Sequence, residues 1–439
     1  MQATHSTQAG RADARLLLLL GLAVGALGGY WVGSTRSGPA HDQVPASAAL
    51  PPPGPPGHAP APSPRGATVT PVTEAERIKA VEAGLGWLER AQEHDGSWEL
   101  VKWNPWHGRT GLYGFTEEDH WFQPAATGLA LLAFLEAAPA EGALAKGTTR
   151  GLARLVEWQR EDGRIGFDEE EVDEWFRRML GVPGLSGHGG PGYKALTIHS
   201  FNHAVAMAAL ASAARRADGE AWREPARRAL AHAVADEHPE YRWSAYLDPE
   251  ADIGVVAFVA LAARAGADAG LAADSRPLLE ALPDFLERVT DPETGRTRML
   301  SDNPVCFDGD DSTAINAYAR RLLGQAPGSA PLDRGLASLA ASEVRWREAV
   351  LPAPEGPSAF HAHLGPVVNH DAWTYGVRAL EGAPGARAAA WRGTVRALLT
   401  RNQVPDGSQA GSWEPIGVWD RVGGRVYATA MAVRALAGP

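Results

Sequence analysis

The residues best placed to do chemistry are the acids of Cys306-Phe307-Asp308-Gly309-Asp310-Asp311-Ser312-Thr313-Ala314. Carboxyl groups forced together share a proton, because two like charges at short range resist double ionisation. Asp308, Asp310 and Asp311 could therefore keep one acid neutral and ready to deliver its proton. The same residue types have a plainer use, since Asp and Ser at a helix start cap its free amides and favour its dipole. A second candidate set is His199 and His203, four apart and hence on one face of a helix. Ser200 follows His199, so the Glu of a His-Glu-x-x-His metal motif is missing, and the pair reads as polar lining of a cavity mouth. His361 and His363 sit in a Pro/Gly-bounded loop, and Asp168-Glu169-Glu170-Glu171 reads as a solvated loop or helix start. No phosphate-cradling Gly loop and no Gly-x-Ser-x-Gly elbow occurs.

The elements that must position these residues are helices of two kinds. One kind is amphipathic and charged on one face, at about Glu74–Gln92, Thr148–Gln159, Trp222–Asp236, Arg276–Val289, Leu332–Val344 and Ala388–Gln403. The other is almost uncharged, at about Ala125–Ala138, Ile198–Ala214, Asp252–Ala263, Asp311–Leu323, Asp371–Leu380 and Arg425–Ala437. A helix apolar all round is buried on all sides, and one with a single apolar stripe faces water. Six alternations of the two kinds predict an all-α fold of two concentric layers that can close into a ring with the uncharged helices as inner wall; an open solenoid of helical pairs is the competing reading, disfavoured by the varying repeat length and the long loops within pairs. The acidic run then opens the fourth inner helix. Phe201, Tyr318, Trp373, Tyr375 and Tyr427 fall on inner helices, facing a central cavity.

A short motif recurs between the helices. It is clearest in Gly84–Glu99, where Gln92 is followed by Asp95-Gly96-Ser97-Trp98, and returns as Gln403…Asp406-Gly407-Ser408…Gly411-Ser412-Trp413-Glu414. Weaker copies lie at Trp158-Gln159…Asp162-Gly163 and near Trp243, and the repeats beginning near Arg276 and Leu332 lack it. These residues resemble the Gln-Trp repeat of squalene/oxidosqualene cyclases and protein prenyltransferase β-subunits, over about Thr73 to Pro439. The resemblance implies a terpenoid cyclase-like (α/α)6 toroid in which Gln and Trp tie consecutive outer helices together. It also implies that Asp308-Gly309-Asp310-Asp311 matches the Asp-x-Asp-Asp acid motif of class II cyclases, with Asp310 as proton donor, Asp308 and Asp311 tuning it, and aromatic faces shielding a carbocation. Ser312 departs from the pattern, shifting Thr313-Ala314 by one residue. The prenyltransferase side of the resemblance implies a divalent metal at Asp308, Asp310 and His370, although without a thiolate this set is not typical of zinc.

Residues 1–15 form a short tail, and residues 16–33 are an uncharged run of a length that can cross a bilayer, with Tyr30 and Trp31 at an interfacial position. No small-x-small cleavage site follows closely, so a single-pass anchor in the cell inner membrane is expected rather than a cleaved signal. Arg11 and Arg15 before the run, against Arg36 after it, place the rest on the periplasmic or extracellular side. Residues 34–72 hold eleven prolines between Pro39 and Pro71 and read as an extended, disordered spacer, leaving 73–439 for the ring. A net charge of −11 without a basic stripe excludes nucleic acid as a partner, and Cys306 as the lone cysteine excludes an internal disulfide. Two functions follow: a membrane-anchored enzyme acting on an isoprenoid or other lipid by acid-initiated chemistry at Asp310, or a non-catalytic ring that binds a lipid, peptide or protein in its cavity or on its rim.

Overall fold

The computed structural model describes residues 70–105, 119–138, 144–168, 171–172, 174, 191–235, 253–298, 309–326, 328–348, 367–417 and 419–438. All of them belong to one compact unit. The expected span at 16–33, the spacer up to residue 69, Cys306, Asp308, His361, His363 and Trp243 lie outside them. Among the described residues no helix is long and apolar enough to cross a membrane.

Twelve α-helices alternate in the described chain. The outer set is α1 (Glu74–Ala91), α3 (Lys146–Glu157), α5 (Glu220–Ala235), α7 (Ala272–Val289), α9 (Ala330–Ala341) and α11 (Ala386–Arg401). The inner set is α2 (Gln123–Ala137), α4 (Pro191–Ala214), α6 (Ile253–Asp268), α8 (Asp310–Leu322), α10 (His370–Ala379) and α12 (Asp420–Ala437). Each inner helix packs against the next, and α12 packs back onto α2, so the ring closes. The largest departures from the expected limits are in α4, which begins earlier, and α6, which runs on to Asp268. Arg264 pairs with Asp268 one turn away at 3.0 Å, which carries α6 past its uncharged stretch. The inner wall is apolar for the reason expected: Ala204–Ala211 and Val256–Ala263 are buried without a break.

The inner helices run parallel. At one end His370 of α10 meets Asp420 of α12, and at the other Glu136 of α2 meets Arg378 of α10 and Arg434 of α12. We call the first end the mouth and the second the floor. Arg434 is fully buried and lies over Phe258 and Tyr375, 5.6 and 5.7 Å from their ring centres. Phe258 belongs to α6, on the far side of the ring, so the guanidinium crosses the axis. Burial alone would raise the Glu136 carboxyl, but Arg378 and Arg434 more than reverse that and hold it below its usual range.

The outer joints show why the Gln-Trp motif recurs. The Gln92 side-chain amide donates to Gly96 O in its own turn (2.9 Å) and to Gly147 O of the following outer helix (2.8 Å). Gln403 does the same with Gly411 O and Ala80 O, both at 2.8 Å, and α1 is the helix it reaches, so this joint seals the ring. The indoles of Trp98 and Trp413 donate to Leu88 O and Leu399 O at 2.7 and 2.8 Å. Each buried indole removes roughly 150–250 Å² from water, about 4–6 kcal/mol at ~25 cal/mol per Å². The joint glycines have positive φ and sit against the next helix's backbone: a Cβ on Gly96 would fall 2.6 Å from Arg150 O, and one on Gly411 2.3 Å from Ala83 O.

Two joints that look degraded or lost in the sequence keep this geometry. Gln159 donates to Gly163 O (3.2 Å) and Pro225 O (2.9 Å), with the fully buried Ile165 in place of Trp. After α7, Gly295 (φ 71°) abuts Gly335 and Arg334 of α9. The inner wall answers each turn with one acceptor: Trp98, Ile165, Thr297 and Trp413 donate their backbone amides to Thr127 Oγ1, His203 Nδ1, Thr313 Oγ1 and Thr429 Oγ1 at 3.1–3.2 Å.

Candidate active site

Acids gather at the starts of three consecutive inner helices. The first turns of α2, α4 and α6 carry none. Those of α8, α10 and α12 carry Asp310 and Asp311, Asp371, and Asp420. Capping does not account for them. The N-cap of α8 is Gly309, and α10 is capped by the Asn369 side chain, which accepts from the Ala372 amide at 3.0 Å. Only Asp311 takes a helix-start amide, that of Ser312 at 2.8 Å.

Asp310 is half-buried. Burial and the neighbouring Asp311 push its carboxyl up, while Arg296 at 3.5 Å and Ser342 pull it back. Asp371 keeps some exposure, yet its surroundings push its carboxyl up to about 7. Burial is the largest cause, Asp311 and Asp420 add to it, and the Tyr427 hydroxyl, donating to Asp371 Oδ2 at 2.6 Å, acts against it. Asp371, more than Asp310, carries the raised carboxyl of this mouth.

Beside it, His370 Nδ1 lies 2.9 and 3.0 Å from the two Asp420 oxygens. Both residues are buried. Asp420 Oδ2 also accepts the Gly417 amide at 2.7 Å. A kink at Gly424 (φ 58°), pressed against Asn104, separates the first turn of α12 from its body, and Asp420 sits on that first turn. His370 Nε2 is buried and, among the described residues, has no hydrogen-bond partner.

The other expected site residues divide into two groups. Phe201, Phe258, Tyr375 and Tyr318 form a chain of ring contacts with centres 5.8, 6.1 and 5.5 Å apart. They join α4, α6, α10 and α8 through the interior. The ring is occupied by these side chains at this depth. Trp373 packs on Trp346 and on His370 at the mouth. The two histidines of α4 correct the sequence reading. His203 lies between the walls, accepting from Ile165 and donating to Ala229 O at 3.1 Å; burial drives its value down to about 3. His199, one turn earlier on the same face, is buried beside Gly166 and the Trp121–Val172–Ile198 cluster, with its value lowered to about 4 mainly by burial. The spacing gave their shared face correctly, but that face is the one turned to the outer wall.

Of the expected metal set only Asp310 and His370 fall among the described residues. His370 Nδ1 is taken by Asp420, and among the described residues no three His, Cys, Asp or Glu side chains converge as ligands would. Asp308 lies outside the described residues.

No family model matches this sequence, and no curated protein does. Solved structures do match. A glycosidase is similar over 82% of this chain and 96% of its own, at 13% identity and a TM-score of 0.50. The type II terpene cyclase MstE from Scytonema covers 83% and 97% at 14% identity and a TM-score of 0.47. An α-1,6-mannanase of Salegentibacter covers 82% and 99% at 10% identity and 0.49. At such identities the likeness concerns the fold alone: the glycosidase match agrees with the closed (α/α)6 ring of twelve helices.

Proposed function

We propose that the ring is an acid–base enzyme whose site is the acidic half of its mouth, with Asp371 rather than Asp310 delivering the proton. The observation that carries this reading is the Asp371 carboxyl itself, held by Tyr427 on a residue that is only partly buried, and raised to about 7. An acid works best when its value lies near the working pH. Such a carboxyl suits protonation of a leaving oxygen, as in the two-carboxyl mechanism of glycoside cleavage. It is a weak donor for an alkene, so a cyclisation started at Asp310, the chemistry implied by the sequence motif, is the less favoured use of this mouth. The substrate is an uncharged lipid or lipid-linked molecule taken at the mouth, because the axis beneath is filled by Tyr375, Tyr318 and Phe258. The run at 16–33 would hold the ring at the inner membrane, on the periplasmic or extracellular side, within reach of such a substrate.

The test is full-length protein in lipid nanodiscs given a total membrane lipid extract, with products read by mass spectrometry. The wild type should form a product that Asp371→Asn forms about 100-fold more slowly, while Asp310→Asn retains more activity than Asp371→Asn. Equal product from Asp371→Asn and the wild type would overturn the assignment. No product from the wild type would turn the reading to the ring as a binding module for a lipid, peptide or protein.

A further inference from the structure

We infer that His370 is the base of this mouth: with Nδ1 held by Asp420, its Nε2 takes a proton from a water molecule as that water displaces an alcohol from a carbon–oxygen bond. The inference rests on the acid role of Asp371 and names the reaction that acid serves. Buried polar atoms nearly always have a partner, in the protein or in water. His370 is 2% exposed, and among the described residues its Nε2 has no partner. A water or a substrate atom is the partner we assign to it. The opposite nitrogen is fixed by a carboxylate that is itself tied to the Gly417 amide. A proton on Nδ1 satisfies Asp420 and leaves the Nε2 lone pair free, the arrangement by which an oriented imidazole acts as base. Asp420 acts only through His370 and is a positioning residue.

The neighbouring Asp371 supplies the complementary half. The water oxygen forms its bond to carbon while its proton passes to His370 Nε2. The carbon–oxygen bond breaks with its electron pair on the departing oxygen, which takes the proton of Asp371. The site ends with an imidazolium and a carboxylate, and one proton returned through solvent resets it. A neutral acid matters when the departing oxygen is that of an alkyl alcohol, so the substrate class is an acetal or an ester of such an alcohol. The two share this chemistry.

The experiment uses the full chain with four probes, p-nitrophenyl and n-octyl glycosides and the corresponding esters. Glycoside turnover assigns the acetal and ester turnover the acyl bond. Asp371→Asn should slow the octyl probes about 100-fold and the p-nitrophenyl probes little, because p-nitrophenoxide leaves without a proton. His370→Gln should slow both by about 100-fold or more, and azide, which needs no base, should restore its p-nitrophenyl turnover. Asp420→Asn should lower kcat with KM unchanged. In 15N-histidine spectra of the wild type, His370 should show a protonated Nδ1 and a bare Nε2. Wild-type rates from His370→Gln, or slow rates that azide leaves slow, would overturn the base assignment, as would a protonated Nε2. Lipid products that need Asp371 together with no turnover of any probe would overturn the displacement by water and leave the acid standing.

Discussion

The two halves of the mouth are built from the same helix pairs and differ in what opens them. α2, α4 and α6 start without an acid, whereas α8, α10 and α12 bring four carboxyl groups and a histidine to one arc. The outer joints show no such division. Gln92, Gln159 and Gln403 make the same pair of bonds, and Gly96, Gly295 and Gly411 make the same close approach, on both sides of the ring. Among the described residues the joint recurs at four turns, after α1, α3, α7 and α11. The carboxyl groups answer no need shared by all helix starts, since Asn369 and Gly309 already occupy the capping positions. A symmetric scaffold with one-sided chemistry is the result.

The largest effect on the scaffold is expected at the floor, where the two halves are pinned together. Glu136→Gln leaves Arg378 and Arg434 buried without their counter-charge and should cost about 3–5 kcal/mol, read by chemical denaturation. Gly411→Ala forces a side chain into positive φ and toward the Ala83 carbonyl, which should cost roughly 2–4 kcal/mol. Gln92→Ala and Gln403→Ala each remove two bonds to carbonyls and should cost about 1–3 kcal/mol. Near-equal losses from the two, with turnover unchanged at a temperature where both are folded, would support a uniform wall. A loss of turnover from one of them alone would break the contrast between wall and mouth.

The last effect concerns pH. The folded value of Asp371, about 7, lies above the ~4 of an unfolded chain, so its ionisation opposes folding. The wild type should lose stability as pH rises from about 4 to 7, and Asp371→Asn should not. Melting both proteins at pH 4 and pH 8 checks the sign: the variant should gain on the wild type at the higher pH. A gain at the lower pH instead would mean that Asp371 is held ionised.

Much of this was legible in the chain. Uncharged stretches such as Ala204–Ala211 can only be inner wall, and alternation with striped helices gives the ring. The acids at Asp310 and Asp311 were visible because they are adjacent. Asp371 and Asp420 were not, since a lone Asp at a helix start reads as a cap, and their meeting through His370 joins positions 50 residues apart. A period of four places His199 and His203 on one face without saying which way it turns. The floor left a clue that went unread: Arg434 is a charge in the middle of an otherwise apolar run, and such a residue must have a buried partner.

The seam where the ring closes joins the two ends of the described chain. Gln403 and Arg90 bond across it (Arg90 to Ala410 O at 2.7 Å), Trp87 donates to Gln409 at 3.1 Å, Arg77 reaches the Leu436 and Gly438 carbonyls, and Arg401 reaches Thr70 O. A nascent chain must therefore hold the Gly84 face of α1 open through synthesis of the other five hairpins. It gains that contact only when Trp413 and Val433 arrive. Tension transmitted along the residues before Thr70 enters the ring at this same seam, where these hydrogen bonds and the packing of Trp413 and Val433 against Gly84 stand between a closed ring and an opened crescent.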